Sequence, residues 1–126
     1  MSVLKFFYSL LFVLIPLSIR CQTKLLSWNI ENFGQSKSNQ EIILIANIIR
    51  EFDIIAIQEV VAGYGGAQAV SRLADELNRK GSKWNYTVSD PTSSSAYKTE
   101  RYAYMWKTSK VSVVGKAWLE KNTISK

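Results

Sequence analysis

The stretch Asp53-Ile-Ile-Ala-Ile-Gln-Glu-Val60 constrains this chain more than any other. Four consecutive residues, Ile54 to Ile57, are apolar, and three of them are β-branched isoleucine. An apolar run this short, with a charge at each end, reads as a strand buried on both faces. It stops on Gln58-Glu59. An acid at the tip of a buried strand stands where an open α/β sheet presents its chemistry, because ligands sit outside the carboxyl ends of such strands. A solvated acid at a strand end is the plainer reading, and the stretch alone does not choose between the two.

The neighbouring sequence supplies a frame. Lys24-Leu-Leu-Ser-Trp-Asn-Ile30 reads as a first strand, with Asn29 at its far end. Glu31 to Lys37 is a loop punctuated by Gly34. Ser38 and Glu41 form a capping-box pattern ahead of Ile42, Ile45, Ala46 and Ile49, one face of an amphipathic helix ending near Glu51. Strand, helix, strand in so short a span is a βαβ unit with parallel strands. Parallel strands end on one edge of the sheet, so Asn29 and Glu59 are expected on the same rim. An amide oxygen and a carboxylate there make half of a magnesium or calcium site.

Val61 to Gly66 is a glycine-rich connection. It lacks the Lys-Ser/Thr ending of a P-loop, so a flexible link is preferred over a phosphate cradle. A second helix is expected from Ala67 to Lys80, with Val70, Leu73, Ala74 and Leu77 as its buried stripe and Gly81 as its stop. Trp84 to Ser89 reads as a third strand, and Asn85-Tyr86-Thr87 is a glycosylation sequon with meaning only in a eukaryotic secretory route. Asp90 to Ala96 is a polar loop. Tyr97 to Trp106 becomes a strand, Thr108-Ser109 turns it, and Lys110 to Val114 is expected to return as its hairpin partner.

Composition excludes several chemistries. The 126 residues contain no histidine and one cysteine. Zinc sites of the Cys/His kind, Ser-His-Asp and Cys-His catalysis, and an internal disulfide therefore have no residues here. A bound metal would be a hard cation held by oxygens: magnesium, calcium or manganese. The net charge of +6 favours a polyanionic partner, although surplus lysines also serve to solvate a surface.

Residues 1–21 read as a signal peptide. Lys5 gives a positive start, and Phe6 to Leu17 is nearly all apolar, too short for a comfortable membrane span. Cleavage near Ile19-Arg20-Cys21 leaves a mature part of net charge +4. An uncleaved anchor and a lipid anchor at Cys21 are the alternatives. The expected location is secreted or periplasmic, with no stable membrane association after cleavage and no protein partner inferred.

Three stretches together resemble the endonuclease/exonuclease/phosphatase superfamily, and its deoxyribonuclease I-like branch most closely. They are Trp28-Asn29-Ile30 with Asn32-Phe33-Gly34, the Asp53…Gln58-Glu59-Val60 strand, and Tyr97-Lys98…Glu100-Arg101-Tyr102. Each is weak alone; in this order they cover most of residues 24–115. The resemblance implies an α/β fold of four layers, two sheets face to face with helices outside. This chain would form its N-terminal half: a βαβ unit plus a helix and antiparallel strands, as a truncated domain over 22–126.

The resemblance also implies a chemistry, metal-dependent hydrolysis of a phosphodiester in DNA or RNA. Glu59 and Asn29 match the family's Mg2+ site, with Ca2+ or Mn2+ as other candidates. Glu100 matches the catalytic glutamate that orients a general-base histidine, Arg101 an arginine near the phosphate path, and Tyr97 a tyrosine of the nucleic-acid groove. Read without the family, Tyr97 is a loop aromatic and Glu100–Arg101 a surface ion pair worth little. Two positions depart from the branch. Val61 stands where it carries a minor-groove arginine, and Thr99 intervenes between Lys98 and Glu100. The family's histidine, Asp-x-Asn pair and final Asp-His have no counterparts here. The expectation is therefore that these residues alone have negligible nuclease activity, and that one sheet face lacks its cover. A catalytically dead fragment that at most binds nucleic acid and a lipid phosphodiesterase of the same superfamily are the alternatives.

Overall fold

A computed structural model describes residues 2–5, 22–92 and 99–118. Its elements are β1 (Leu25–Phe33), α1 (Asn39–Ile49), β2 (Ile54–Val61), α2 (Tyr64–Asn78), β3 (Trp84–Val88) and β4 (Glu100–Lys107). The strands form one sheet in the order β1-β2-β4-β3. β1 and β2 are parallel, as a βαβ unit requires, while β4 runs antiparallel to both β2 and β3. This is a mixed α/β fold, consistent with part of a deoxyribonuclease I-like domain.

Local chemistry accounts for the helices. At the start of α1 the Glu41 amide donates to Ser38 Oγ, and the Ser38 amide donates back to a Glu41 carboxylate oxygen at 2.7 Å. Both halves of the capping box are present, and the Ser38 amide bond holds the Glu41 carboxyl below its ordinary range. Ile42, Ile45, Ala46 and Ile49 are its buried face. Helix α2 starts three residues earlier than the periodicity suggests. Gly65 and Gly66 lie inside its first turn and are buried, so the glycine-rich stretch is packed helix rather than a flexible link. A Cβ on Gly66 would meet the Val61 carbonyl oxygen at 1.8 Å, so only glycine lets the helix start this close to the end of β2.

The core lies between the helices and one sheet face. Ile55, Ile57 and Val60 of β2, Ala103 and Met105 of β4, and Leu73 and Leu77 of α2 are fully or almost fully buried. β2 is thus buried on one face only, not on both; Ile54 and Ala56 on the other are half-buried. On that open face Leu25 and Tyr104 are 61% and 46% exposed. Residues 116–118 cross part of it, leaving a cleft of about 230 Å³ lined by Thr87, Tyr102, Tyr104 and Trp118. Among the described residues this face has less cover than the one the helices pack on.

The hairpin expected at Lys110–Val114 does not form. Residues 111–114 are not strand, and the Lys110 and Val111 amides fold back onto the Lys107 carbonyl. The reason lies in the sheet order: both edges of β4 are already paired, with β2 on one side and β3 on the other. No place for a hairpin partner remains beside it.

Asp53 is the one buried charged residue among those described. Its Oδ2 accepts from the Lys24 amide at 2.9 Å and its carbonyl accepts from the Lys107 amide at 3.0 Å. Lys107 Nζ stands 3.7 Å from Oδ1 and 5.5 Å from the centre of the Trp84 ring. One side chain and its backbone thereby tie the starts of β1 and β2 to the end of β4. The amide bond from Lys24, then the charges of Lys110 and Lys107, hold the Asp53 carboxyl below its usual range against the opposing effect of burial.

No helix among the described residues is long and apolar enough to cross a membrane. Residues 2–5 are helical, and the rest of the proposed signal peptide, residue 1 and residues 6–21, lies outside the described residues.

Candidate functional site

The parallel pairing of β1 and β2 sets Asn29 opposite Gln58, one residue short of Glu59. Regular pairing would leave Asn29 and Glu59 on opposite faces, since side chains alternate along a strand. Two irregularities bring them together. Between Ile57 and Val60, β2 carries one residue more than its partner segment Ala103–Arg101. That is a β-bulge, and the extra residue re-aims a side chain. Glu59 sits in it at φ +58, in the left-handed region. A non-glycine residue there costs about 1–2 kcal/mol. β1 has its own register shift between Asn29 and Phe33, with Asn32 at φ +49. Asparagine accepts that backbone more readily than glutamate does.

The result is a direct contact: Asn29 Nδ2 donates to Glu59 Oε1 at 2.9 Å. The amide oxygen of Asn29 and the second carboxylate oxygen of Glu59 remain as hard donors on the rim. Two protein oxygens of this kind suit a magnesium ion, which keeps several waters and accepts substrate phosphate as further ligands. No group of three or more His, Cys, Asp or Glu residues placed to hold a metal occurs among the described residues. The donor set fits a magnesium-type ion, in a site that these residues complete only in part.

β4 runs antiparallel to β2, so its first residues reach the same rim. Glu100 pairs with Val61 and Arg101 with Val60. The Glu100 backbone is tied to Thr92, which donates to its carbonyl at 2.8 Å. Its carboxylate accepts a bond from the Tyr102 hydroxyl at 3.3 Å. Burial first, and then the Glu100 charge, raise the Tyr102 phenol above its ordinary pKa.

Arg101 is differently employed from the sequence reading. Its Nε donates to the Ala62 carbonyl and its Nη1 to the Ser89 carbonyl, each at 3.0 Å. The guanidinium joins the β2–α2 connection to the end of β3, a bracing role with no local signal in the sequence. Tyr97, expected in a nucleic-acid groove, lies outside the described residues. The structure thus brings Asn29 and Glu59 into contact and places Glu100 and Arg101 on the same edge.

Sequence reasoning passed over two further features of this rim. Gln58 Nε2 donates to Ser27 Oγ at 2.7 Å, which fixes the residue before Glu59. Tyr64 projects from the first turn of α2 and is 82% exposed. An aromatic residue amid Gly63, Gly65 and Gly66 was the available signal for it.

Comparisons with known proteins identify the family. The model of the endonuclease/exonuclease/phosphatase family matches residues 26–125. A protein named deoxyribonuclease from Thioalkalivibrio sp. (strain K90mix) is 35% identical over 112 residues, covering 88% of this chain and 29% of that protein. Deoxyribonuclease-1 of Bos taurus is 35% identical over 101 residues, covering 78% of this chain and 35% of its own length. Deoxyribonuclease-1 of Homo sapiens is 33% identical over 94 residues, covering 72% and 32% respectively. The chain therefore spans about a third of the length of these relatives. With a bulged strand carrying Glu59 to Asn29 and a family match along nearly all of the described fold, the chain belongs to the endonuclease/exonuclease/phosphatase family and is deoxyribonuclease I-like within it.

Proposed function

We propose that this chain is part of an exported, divalent-metal-dependent phosphodiesterase that hydrolyses nucleic acid. The observation that carries the reading is the Asn29–Glu59 pair, held at 2.9 Å on a sheet rim by a bulge that keeps Glu59 in an unfavourable backbone conformation. Strain of this kind persists where surrounding structure imposes it, and it concentrates at functional sites.

Glu59 and Asn29 would hold Mg2+ through their free oxygens, with Ca2+ or Mn2+ as substitutes of the same donor preference. The ion would supply charge stabilisation at the phosphoryl oxygens and help orient the attacking water. The Asn29 amide fixes the rotamer of the Glu59 carboxylate, so the donor oxygen is set before a ligand arrives. Glu100 offers a carboxylate that can fix the tautomer of a general-base imidazole and favour its protonated form. No histidine occurs in these 126 residues, so that base is not among them. On this reading the chain supplies one portion of an active centre, and by itself it has negligible activity. Arg101 keeps the β2–α2 connection in place and contributes positive charge beside the rim. The basic balance of the chain favours a nucleic-acid substrate, and the deoxyribonuclease relatives point to DNA. Export rests on the apolar run after Lys5.

The test is a chimera in which residues 26–118 replace the matched segment of the Thioalkalivibrio deoxyribonuclease. It is assayed on plasmid DNA, RNA and sphingomyelin. The expected result is magnesium-dependent nicking of plasmid, abolished by EDTA and by Glu59→Gln. Turnover of sphingomyelin without nicking, or nicking untouched by Glu59→Gln, would overturn the reading.

A further inference from the structure

The Tyr64 hydroxyl makes no hydrogen bond with any described residue, and the residue leaves 82% of its surface in water. An exposed tyrosine alone is unremarkable, but the backbone beneath this one is fastened on three sides. Arg101 Nε holds the Ala62 carbonyl, two residues before it, at 3.0 Å. Gly65 packs so closely on the β1–α1 loop that a Cβ there would lie 2.9 Å from the Gln35 amide nitrogen. Gly66 packs on the Val61 carbonyl with even less room. A large aromatic ring thus stands on a rigid seat, five residues beyond Glu59, at the rim where Asn29 and Glu100 also end. Packing that excludes any side chain at both following positions fixes the seat without burying the ring.

We infer that Tyr64 is a substrate-contact residue, its ring lying against the sugar or base of a nucleotide next to the scissile phosphate. The inference rests on the nucleic-acid reading above. A ring suits this task because aromatic faces pack against nucleotides with little sequence preference. A pre-ordered seat also lowers the cost of binding. Val61 leaves the end of β2 without a cationic side chain, and Tyr64 is the large group that projects from the same connection. Arg101 is then a positioning residue for Tyr64 as well as a charge near the rim.

The experiment measures binding of the full chain to a fluorescein-labelled 12-base-pair DNA duplex by anisotropy in magnesium at low salt. Tyr64→Ala is expected to weaken binding about tenfold, the size of one lost aromatic stack, while Tyr64→Phe binds like the unsubstituted chain. A duplex carrying iodouracil should cross-link to the peptide containing Tyr64. If the unsubstituted chain does not bind the duplex, the nucleic-acid reading falls and this inference with it. If it binds, but Tyr64→Ala binds equally well and cross-links map elsewhere, only the inference is overturned.

Discussion

Asn29 Nδ2 and Glu59 Oε1 meet at 2.9 Å across two parallel strands whose regular pairing would have kept their side chains apart. The contact exists because β2 bulges, and the bulge places Glu59 at φ +58. A glycine would occupy that backbone without strain. Glu59→Gly should therefore change unfolding free energy by less than about 1 kcal/mol, since relief of strain offsets the lost contact and the added chain entropy. The same substitution in the chimera should remove nicking. Urea denaturation with a plasmid assay checks both, and a loss of several kcal/mol would show that Glu59 is a structural residue instead.

Arg101 supports the rim by bonding the Ala62 and Ser89 carbonyls. Hydrogen bonds from a charged donor contribute about 1.5–3 kcal/mol together with their context. Arg101→Met should lower stability by about 2 kcal/mol on that basis. Urea unfolding curves for the two proteins measure it. Unchanged stability would mean that the guanidinium is free for phosphate alone.

Two neighbouring glycines should respond in opposite ways. At Gly66 a Cβ collides with backbone, and Gly66→Ala should cost about 1–3 kcal/mol by overpacking. At Gly63, the N-cap of α2, nothing lies within 4 Å of a new Cβ and φ is −74. Gly63→Ser adds a capping oxygen to a helix that has no side-chain cap, so it should be neutral or stabilising by a few tenths, roughly, of a kcal/mol. Thermal denaturation of both variants separates the outcomes.

Asp53 gives the fold an acid limit. Its carboxyl titrates below the ordinary range in the folded chain because the Lys24 amide and the Lys110 and Lys107 charges favour the ionised form. A group with a depressed folded pKa contributes stability that is complete above its unfolded pKa, near 4 for aspartate, and is lost as pH falls through the lower folded value. Stability should hold above about pH 5 and decline below about pH 4. Asp53→Asn should lower stability at neutral pH and flatten that decline. Circular dichroism melts across pH 3–7 follow it, and an unaltered acid limb in the variant would contradict the assignment.

Much of this architecture was legible because short-range chemistry agreed with long-range order. The Ser38–Glu41 box, the 3.6-residue stripe of α1 and the β-branched run in β2 each specify one outcome, and together they require a parallel pair ending on one rim. Glu59 and Asn29 follow from that pair. The bulge does not: nothing in Gln58-Glu59-Val60 announces a left-handed glutamate, since the strain is imposed by pairing on both sides. Arg101 is similar, because its acceptors lie 39 and 12 residues away in sequence. The absence of the hairpin expected after Lys107 has the same origin. Local turn residues suggested a partner strand, while the edges of β4 were taken by β2 and β3. Gly65 and Gly66 serve close packing, which residue type alone does not distinguish from a flexible link.

On the proposed reading, Asn29 and Glu59 hold a hard divalent cation on this rim. Manganese, titrated into the isotope-labelled chain and followed by amide NMR, tests it without any need for turnover. Selective broadening is expected for signals around Asn29 and Gln58 to Val60, reversed by excess magnesium and absent in Glu59→Gln. Broadening centred elsewhere on the surface, or unchanged in Glu59→Gln, would contradict it.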